Sequence, residues 1–130
     1  GAEAVQIGSR FVTSEESSAH ANFKQAVVAA KDGDTQLSMK KVTPVRLLKN
    51  KFWEQVATAE AEGAKPEQLM KILGRARAKK GMFEGELEEG ELEIGQISGY
   101  IDEIKPAAEG LDEIVTEYNA TLDTLANKKI

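Results

Sequence analysis

The apolar residues near the start of the chain form an almost continuous run, EAVQIGSRFV at residues 3–12, with Gln6 as its early polar interruption. Such a run is typical of a parallel strand that is covered on both faces of a sheet. Gly8-Ser9 then gives the backbone the freedom for a tight turn. The pattern therefore predicts a buried strand over 3–12 that runs into a glycine turn.

The apolar residues take helical spacing after this turn. Thr13 and Glu16 have the separation of a capping box, and the apolar positions that follow share one helical face as far as Ala30. We therefore predict a helix from Thr13 to about Ala30. Residues 35–42, TQLSMKKV, alternate loosely between polar and apolar and are predicted to be extended.

Two prolines predict helix starts in the middle of the chain. Thr43-Pro44 predicts a helix to about Glu62, because proline at the first helical position lacks only an amide that would be unpaired anyway. Pro66 predicts another helix, over 66–80, for the same reason. Gly63 separates the two helices.

The C-terminal part of the chain divides into a glycine-rich stretch and a helix. Glycine recurs throughout 81–101, which predicts short helical turns joined by glycines that bend the backbone or let it approach something closely. The spacing over 106–127 predicts a long helix with one apolar stripe. The stripe consists of Leu111, Ile114, Val115, Tyr118, Leu122 and Leu125.

Composition narrows the class of protein. The 130 residues fit one ordinary domain, and a net charge of −5 with a pI near 5.0 argues against a nucleic-acid partner, which requires a basic surface. The chain has no cysteine, so disulfides and thiolate metal sites are excluded and a reducing cytoplasm is the expected compartment. No apolar run approaches the ~20 residues that span a bilayer, so no membrane partner is expected.

The Gly8-Ser9 turn is the first candidate for a ligand site. A turn between a strand and a helix leaves amide protons unpaired and pointing outward, which is a common arrangement for binding phosphate. The alternative is that the turn binds nothing, since many such turns contain glycine. His20 is the single histidine of the chain, too few for a zinc site, so we expect it at the surface or in a helix cap.

Two further stretches concentrate polar groups. Glu84–Glu93 contains six glutamates without the Asp and Asn rhythm of a calcium loop, so we interpret it as a solvated connector that pairs with the basic residues before it. Gln96 and Ser98 lie between glycines in an apolar context, where polar groups need partners. They belong either to a close packing of helices or to a turn that reaches a ligand.

Two motifs stand near the two ends of the sequence. The pattern G-A-x-x-V-Q-x-G-[ST]-x-F is matched by Gly1, Ala2, Val5, Gln6, Gly8, Ser9 and Phe11. An acidic, glycine-rich stretch is followed by the pattern G-Q-x-[SA]-G, which is matched by Gly95, Gln96, Ser98 and Gly99. Together they resemble the FMN-dependent barrel family that contains nitronate monooxygenases and enoyl-acyl-carrier-protein reductase II. The resemblance covers essentially the whole chain, and 35–80 is its least distinctive part.

The resemblance implies an α/β fold in which the chain is a fragment of a TIM-type (β/α)8 barrel, its last strand and helix, followed by a mainly α-helical region. It implies FMN as the cofactor of the complete oxidoreductase, with Gly8 and Ser9 on the phosphate and Gln96 and Ser98 near the flavin or at the barrel mouth. The substrate stays open between a nitronate and an enoyl thioester. The family's catalytic histidine precedes these motifs, so no catalytic residue is assigned here.

The expected organisation has three parts. Residues 1–33 form the last β/α unit of the barrel, 34–95 form a helical excursion with the acidic connector, and 96–130 form the C-terminal helices. On this interpretation the partner is a missing N-terminal barrel segment, without which the chain is inactive. The alternative is a stand-alone helical interaction module that self-associates as a homodimer through the stripe of the last helix.

Overall fold

The computed structural model describes residues 2–128, which combine helices with one small sheet, so the predicted mixture of helix and strand is confirmed. The α-helices are α1 (Ser9–Val12), α2 (Ala21–Ala29), α3 (Lys51–Ala61), α4 (Pro66–Leu73) and α5 (Ala107–Ala126). The strands are β1 (Thr35–Ser38) and β2 (Val45–Leu48). A π-helical turn covers Lys79–Phe83, and a 3₁₀ turn covers Gln96–Tyr100.

The predicted strand over 3–12 is wrong. Residues 2–8 have no regular secondary structure and are exposed, and the single-turn helix α1 follows at once. A strand is stabilised by hydrogen bonds to a neighbouring strand, and within 2–128 no backbone hydrogen bond joins residues 3–7 to another segment. Without such a partner, apolar sequence alone does not produce a strand.

The N-cap of the first long helix is His20, seven residues after Thr13, where the capping-box pattern predicts it. Thr13 Oγ1 donates to the Arg10 carbonyl (2.8 Å) and so closes α1 instead of opening a helix. Helix α2 begins after His20, whose Nδ1 accepts a hydrogen bond from the Asn22 amide at 3.1 Å. The expected capping role of His20 is therefore confirmed, and Glu16 has a different partner, described below.

A β-hairpin replaces the helix that Thr43-Pro44 predicts. Strand β1 confirms the first half of the extended stretch predicted over 35–42, whereas residues 40–42 form a turn. Strand β2 pairs with β1 antiparallel, with Thr35 opposite Leu48 and Ser38 opposite Val45. Cross-strand pairing and burial of Leu47 stabilise this arrangement, and they outweigh the helical preference of a proline start. The helix of this region, α3, begins only at Lys51.

Asn50 both starts α3 and holds the acidic stretch. Its Oδ1 accepts from the Trp53 amide at 2.9 Å, which caps the helix. Its Nδ2 donates to the carbonyls of Leu87 (2.7 Å) and Gly90 (2.8 Å), in a segment that is distant in sequence. Helix α4 begins at the predicted Pro66 but ends at Leu73, because Gly74 takes a φ of 66°.

The glycine-rich stretch does contain short helical turns, and its glycines do allow close approach, as predicted. The contacts are to other parts of the same chain. A Cβ at Gly81 would lie 2.6 Å from the Glu91 carbonyl oxygen, and one at Gly99 would lie 3.0 Å from the Asp32 nitrogen. Residues 92–94 run beside β2, with the Leu48 amide donating to Leu92 at 2.9 Å.

Two hydrophobic clusters hold the fold together. One joins the hairpin to α3 and α4 and contains Met39, Leu47, Phe52, Val56 and Leu69. The other contains Phe23, Val27, Ala30, Leu48, Leu92, Ile94 and Ile101. The second cluster draws side chains from all three predicted parts of the chain, so these parts share one core.

The last helix is where the sequence places it, yet its apolar stripe lies largely uncovered. Leu111, Val115, Tyr118, Leu122 and Leu125 of α5 are all exposed. Only Gly110 is buried in this helix. Over residues 2–128, no helix is both long and apolar enough to cross a membrane.

Candidate functional site

The structure brings together the two motifs that the sequence singles out. The Gly95 amide donates a hydrogen bond to Ser9 Oγ, with an N···O distance of 3.1 Å. Ser9 belongs to the Gly8-Ser9 turn and Gly95 opens the G-Q-x-[SA]-G motif, 86 residues further on. The two motifs are therefore in direct contact and together form the candidate site.

The turn itself presents donors without internal partners. The Gly8 carbonyl accepts from the amides of Phe11 (2.9 Å) and Val12 (3.3 Å), which fixes the turn. Within the described part of the chain, the amides of Ser9 and Arg10 donate to no acceptor. Gly8 is exposed and a Cβ there would meet nothing within 4 Å, so the backbone is open on this side. The turn can therefore donate hydrogen bonds to an acceptor oxygen of a ligand.

A buried lysine holds the loop that follows the turn. Lys24, on α2, is only 7% exposed, and its Nζ donates to the carbonyls of Ser14 (2.7 Å) and Glu15 (3.1 Å). Buried cations require such partners, because desolvating a charge is costly. Lys24 neighbours Phe23 and precedes Val27 by three residues, so its place on the apolar face of α2 is a signal that the sequence did contain.

Charged side chains tie the turn to α5. The Arg10 guanidinium donates to Thr13 Oγ1 (3.0 Å) and lies 3.7 Å from the Glu113 carboxylate. Lys105 pairs with the same Glu113 carboxylate at 3.0 Å and also with Glu103. The carboxylates of Glu103 and Glu113 raise the pKa of Lys105 above its ordinary value. The site and the last helix are thus joined through one ionic cluster.

Glu16 caps α5, which explains why it does not cap the helix nearest to it in sequence. Its Oε2 accepts from the Ala107 amide at 2.9 Å, at the first residue of α5. This backbone hydrogen bond is the main reason why the pKa of Glu16 lies below its ordinary value. No local sequence pattern indicates this pairing, because 91 residues separate the two groups.

The other two predicted site residues lie on the same 3₁₀ turn but differ in exposure. Gln96 is exposed beside the Ser9–Gly95 hydrogen bond. Ser98 is fully buried, and its Oγ has no hydrogen-bond partner among residues 2–128. Its backbone is fixed, since the Ser98 amide donates to the Gly95 carbonyl at 3.1 Å and the Ile101 amide donates to the Ser98 carbonyl at 3.0 Å.

An apolar groove of about 650 Å³ lies between the N-terminal segment and α5. Its walls are the exposed residues before the turn and the first half of the apolar stripe. They include Val5, Ile7, Phe11, Leu111, Val115 and Tyr118. The groove begins next to the Gly8-Ser9 turn in sequence, so the exposed donors and the exposed apolar surface are neighbours.

The acidic stretch is mostly the solvated, ion-paired connector that the sequence predicts. Lys51 pairs with Glu88 at 2.6 Å, and Lys79 pairs with Glu84 at 3.1 Å. Glu91 is the exception, because it is 8% exposed and burial raises the pKa of its carboxyl to about 7, with the charge of Glu93 adding to the effect. No cluster of acidic or histidine side chains suited to a metal ion occurs within 2–128.

Comparison with known sequences decides the family. The sequence model described as nitronate monooxygenase matches residues 1–117. The chain belongs to the nitronate monooxygenase family. This family is one of oxidoreductases related to FabK, so the resemblance stated from the two motifs is confirmed.

Two solved structures of this kind resemble the chain closely. FabK from Thermotoga maritima superposes with a TM-score of 0.87 and 37% sequence identity, over 97% of this chain and 40% of that chain. A point mutant of the same FabK superposes with a TM-score of 0.77 and 33% identity, over 97% of this chain and 37% of that one. The chain thus spans about 40% of the length of FabK.

Proposed function

We propose that the chain is the C-terminal part of an FMN-dependent oxidoreductase and supplies one wall of its FMN phosphate site. The observation that carries the proposal is the hydrogen bond between Gly95 and Ser9, which joins both family motifs at a turn with unpaired donors. Membership of the nitronate monooxygenase family supports an oxidoreductase. FMN supplies hydride or electron transfer when it is bound.

The residues of the turn fit a phosphate group. Phosphate oxygens accept hydrogen bonds, and the Ser9 amide, the Arg10 amide and the Ser9 hydroxyl are donors that the rest of the described chain leaves unused. Gly8 lets the phosphate approach the backbone closely because nothing occupies the space of a side chain there. Gln96 is exposed beside them and is proposed to contact the flavin. Ser98 is buried on the same turn, and its Oγ has no partner within residues 2–128; it is proposed to lie near the flavin or at the barrel mouth.

We propose that the partner of this chain is the N-terminal barrel segment of the same enzyme. The apolar groove and the exposed residues 2–8 support this, because both present uncovered surface that a neighbouring strand and helix would cover. FabK supports it too, since the region matched is 40% of that protein. On this proposal residues 3–8 become the last barrel strand when the two parts assemble. The chain alone is then inactive, and the proposed compartment of the enzyme is the cytoplasm. A nitronate or an enoyl thioester is the substrate of the assembled enzyme.

The test is reconstitution of a flavin site. The chain is mixed with a polypeptide that carries the N-terminal barrel segment, and FMN binding is followed by flavin fluorescence and absorbance. We expect FMN to be retained by the mixture and by neither part alone. Ser9→Ala should raise the Kd for FMN about tenfold, because one hydrogen bond to a charged phosphate is lost. Ser18→Ala, at an exposed serine elsewhere, should leave the Kd unchanged.

A complete polypeptide with native Ser9 and Gly8 that folds but never retains FMN would overturn the proposal. Binding of FMN by the isolated chain, with the same affinity as the mixture, would overturn the part assigned to the N-terminal segment. Oxidation of a nitronate and reduction of an enoyl thioester are then assayed side by side to choose the substrate.

A second candidate is a helical module that self-associates as a homodimer. The uncovered stripe of α5 favours it. Charge opposes it, because Ala107–Ala126 carries five acidic side chains and no basic one, so two copies of the helix would repel each other. The molar mass in solution decides: a stable dimer of the chain that persists in the reconstituted enzyme would support this candidate.

A further inference from the structure

The hydrogen bond from the Gly95 amide constrains the direction in which the Ser9 hydroxyl can donate its own proton. The Gly95 amide donates to Ser9 Oγ at 3.1 Å, which uses a lone pair of the oxygen and leaves its proton. Within residues 2–128 the Ser9 hydroxyl donates to no acceptor. We infer that Gly95 is a positioning residue that orients the Ser9 hydroxyl for donation to a phosphate, an inference that rests on the proposed function.

The space around Gly95 supports the same assignment. A Cβ at this position would lie 2.6 Å from Ser9 Oγ, much closer than such atoms approach, but 3.8 Å from Ser9 Cβ and from Ile97 Cγ2, which are ordinary contacts. The hydroxyl of Ser9 is therefore the one neighbouring group that would have to leave its observed position if residue 95 carried a side chain.

The backbone of Gly95 does not itself require glycine. Its φ of −69° and ψ of 156° are extended values that any residue adopts. Glycine is favoured here because the Ser9 oxygen lies close to the position of a Cβ, and not because of the backbone dihedral angles. An alanine at 95 thus removes the positioning without adding backbone strain.

The geometry makes a specific prediction for the stability of the 130-residue chain. Gly95→Ala should raise the unfolding equilibrium constant about fivefold, since the Ser9 hydroxyl must rotate away from the new methyl and give up its hydrogen bond. Ser9→Ala should raise it by about the same factor, because the same partly exposed hydrogen bond is lost. The double variant should be no less stable than Ser9→Ala, because removing the hydroxyl also removes the collision. Denaturant unfolding measures all three.

The functional half of the test uses the complete enzyme loaded with FMN. Ser9→Ala and Gly95→Ala should each raise the Kd for FMN about tenfold, and the double variant should not exceed the larger single effect, because both changes remove the same donor. Ser9→Thr, which keeps the hydroxyl, should restore most of the affinity. Gly110→Ala, a helical glycine with only ordinary contacts near its missing Cβ, is the matched control and should change nothing.

Three outcomes would overturn the inference, and they separate it from the proposed function. If Ser9→Ala weakens FMN binding and Gly95→Ala does not, Gly95 has no positioning role while the proposed function stands. If the two stability effects simply add, the contact itself is absent. If neither variant changes the Kd for FMN although their stability effects are coupled, the inference and the proposed role of Ser9 fail together. The ³¹P resonance of bound FMN should shift in both single variants and gives an independent readout.

Discussion

Apolar side chains are buried in the hairpin region, residues 35–73, but are exposed at the two ends of the chain. In the hairpin region Phe52, Val56 and Leu69 are 0% exposed. At the ends Val5 is 78% exposed and Tyr118 is 62% exposed. Both regions have comparably apolar sequences, so the difference lies in the availability of partners within the chain.

The difference distinguishes a self-contained subregion from an uncovered apolar surface, which we propose docks against the N-terminal barrel segment. The hairpin, α3 and α4 cover one another, and Asn50 adds side-chain hydrogen bonds to the acidic stretch. The N-terminal segment and α5 are tied to the fold by polar groups, through Arg10 and Glu16, while their apolar faces stay outside. We expect substitutions to separate the two regions clearly, as follows.

The largest expected effect is in the hairpin region. Phe52→Ala should lower the free energy of unfolding of the chain by about 3–5 kcal/mol, because it leaves a cavity in the cluster and removes the ring that lies 4.7 Å from the Arg77 guanidinium. Tyr118→Ala is the matched aromatic control and should change it by less than about 0.5 kcal/mol. Urea unfolding of both variants checks this prediction. Equal losses in the free energy of unfolding would show that the two regions do not differ in how much their aromatic side chains stabilise the chain.

Asn50 should come next. Asn50→Ala removes the helix cap and leaves two carbonyls without donors, and we expect a loss of about 2–3 kcal/mol. Asn50→Ser keeps a capping oxygen but lacks the Nδ2 donor, so it should lose about half as much. If only the helix cap mattered, the variant that keeps a capping oxygen would lose no stability and the alanine variant would show the whole loss. That result would contradict a role for Asn50 in anchoring the acidic stretch.

The pH dependence of stability should reveal Glu91. Folding raises the pKa of its carboxyl from 4.5 to about 7, so between these values the folded chain holds a proton that the unfolded chain has released. The contribution to the free energy of unfolding is complete below pH 4.5, falls as the pH rises, and is lost above pH 7, by on the order of 2 kcal/mol. Thermal unfolding across this range measures it.

Two variants isolate this effect. Glu91→Gln mimics the neutral carboxyl and should remove the decline between pH 4.5 and 7. Glu67→Gln, at an exposed glutamate of α4, should leave the decline in place. A decline that survives in Glu91→Gln would show that another group causes it.

The smallest effect on the chain should come from the groove. Leu111→Ser should change the free energy of unfolding by less than about 0.5 kcal/mol, because Leu111 is already exposed. In the assembly with the N-terminal segment it should weaken association about tenfold, since a leucine would become buried there. Leu37→Ser, an exposed leucine of β1 outside the groove, is the control. Equal effects of both variants on association would contradict a docking role for the groove.

The sequence predicts the elements whose signals are local. Helix α5 occupies Ala107–Ala126 as its long apolar spacing indicates, and α4 begins at Pro66. The prediction fails where distant partners decide, as for β2, which pairs with β1 instead of continuing a helix from Pro44. It fails for 3–12 as well, because a strand needs neighbours that the described chain does not offer.

In the candidate site, too, the sequence predicts local features but not contacts between distant segments. Ser9 and Gln96 are predicted from motifs, because motif residues are recognisable by type and spacing, and their role in binding stays a prediction. That the Gly95 amide contacts the Ser9 hydroxyl could not be found, since it depends on how α1 and the 3₁₀ turn pack together. The raised pKa of Glu91 is likewise invisible in a run of six glutamates, because burial and not sequence distinguishes it.

Amide hydrogen exchange of residues 3–8 tests the central claim most directly. It is measured in the isolated chain and in the chain assembled with the N-terminal barrel segment and FMN, with the buried Val56 as the protected reference. In the isolated chain these amides have no acceptor among residues 2–128 and should exchange at nearly the rate of an unstructured peptide. On assembly they should slow by about 100-fold or more as they join the barrel sheet. If they stay unprotected in an assembly that holds FMN, the segment is not a barrel strand and the account is wrong.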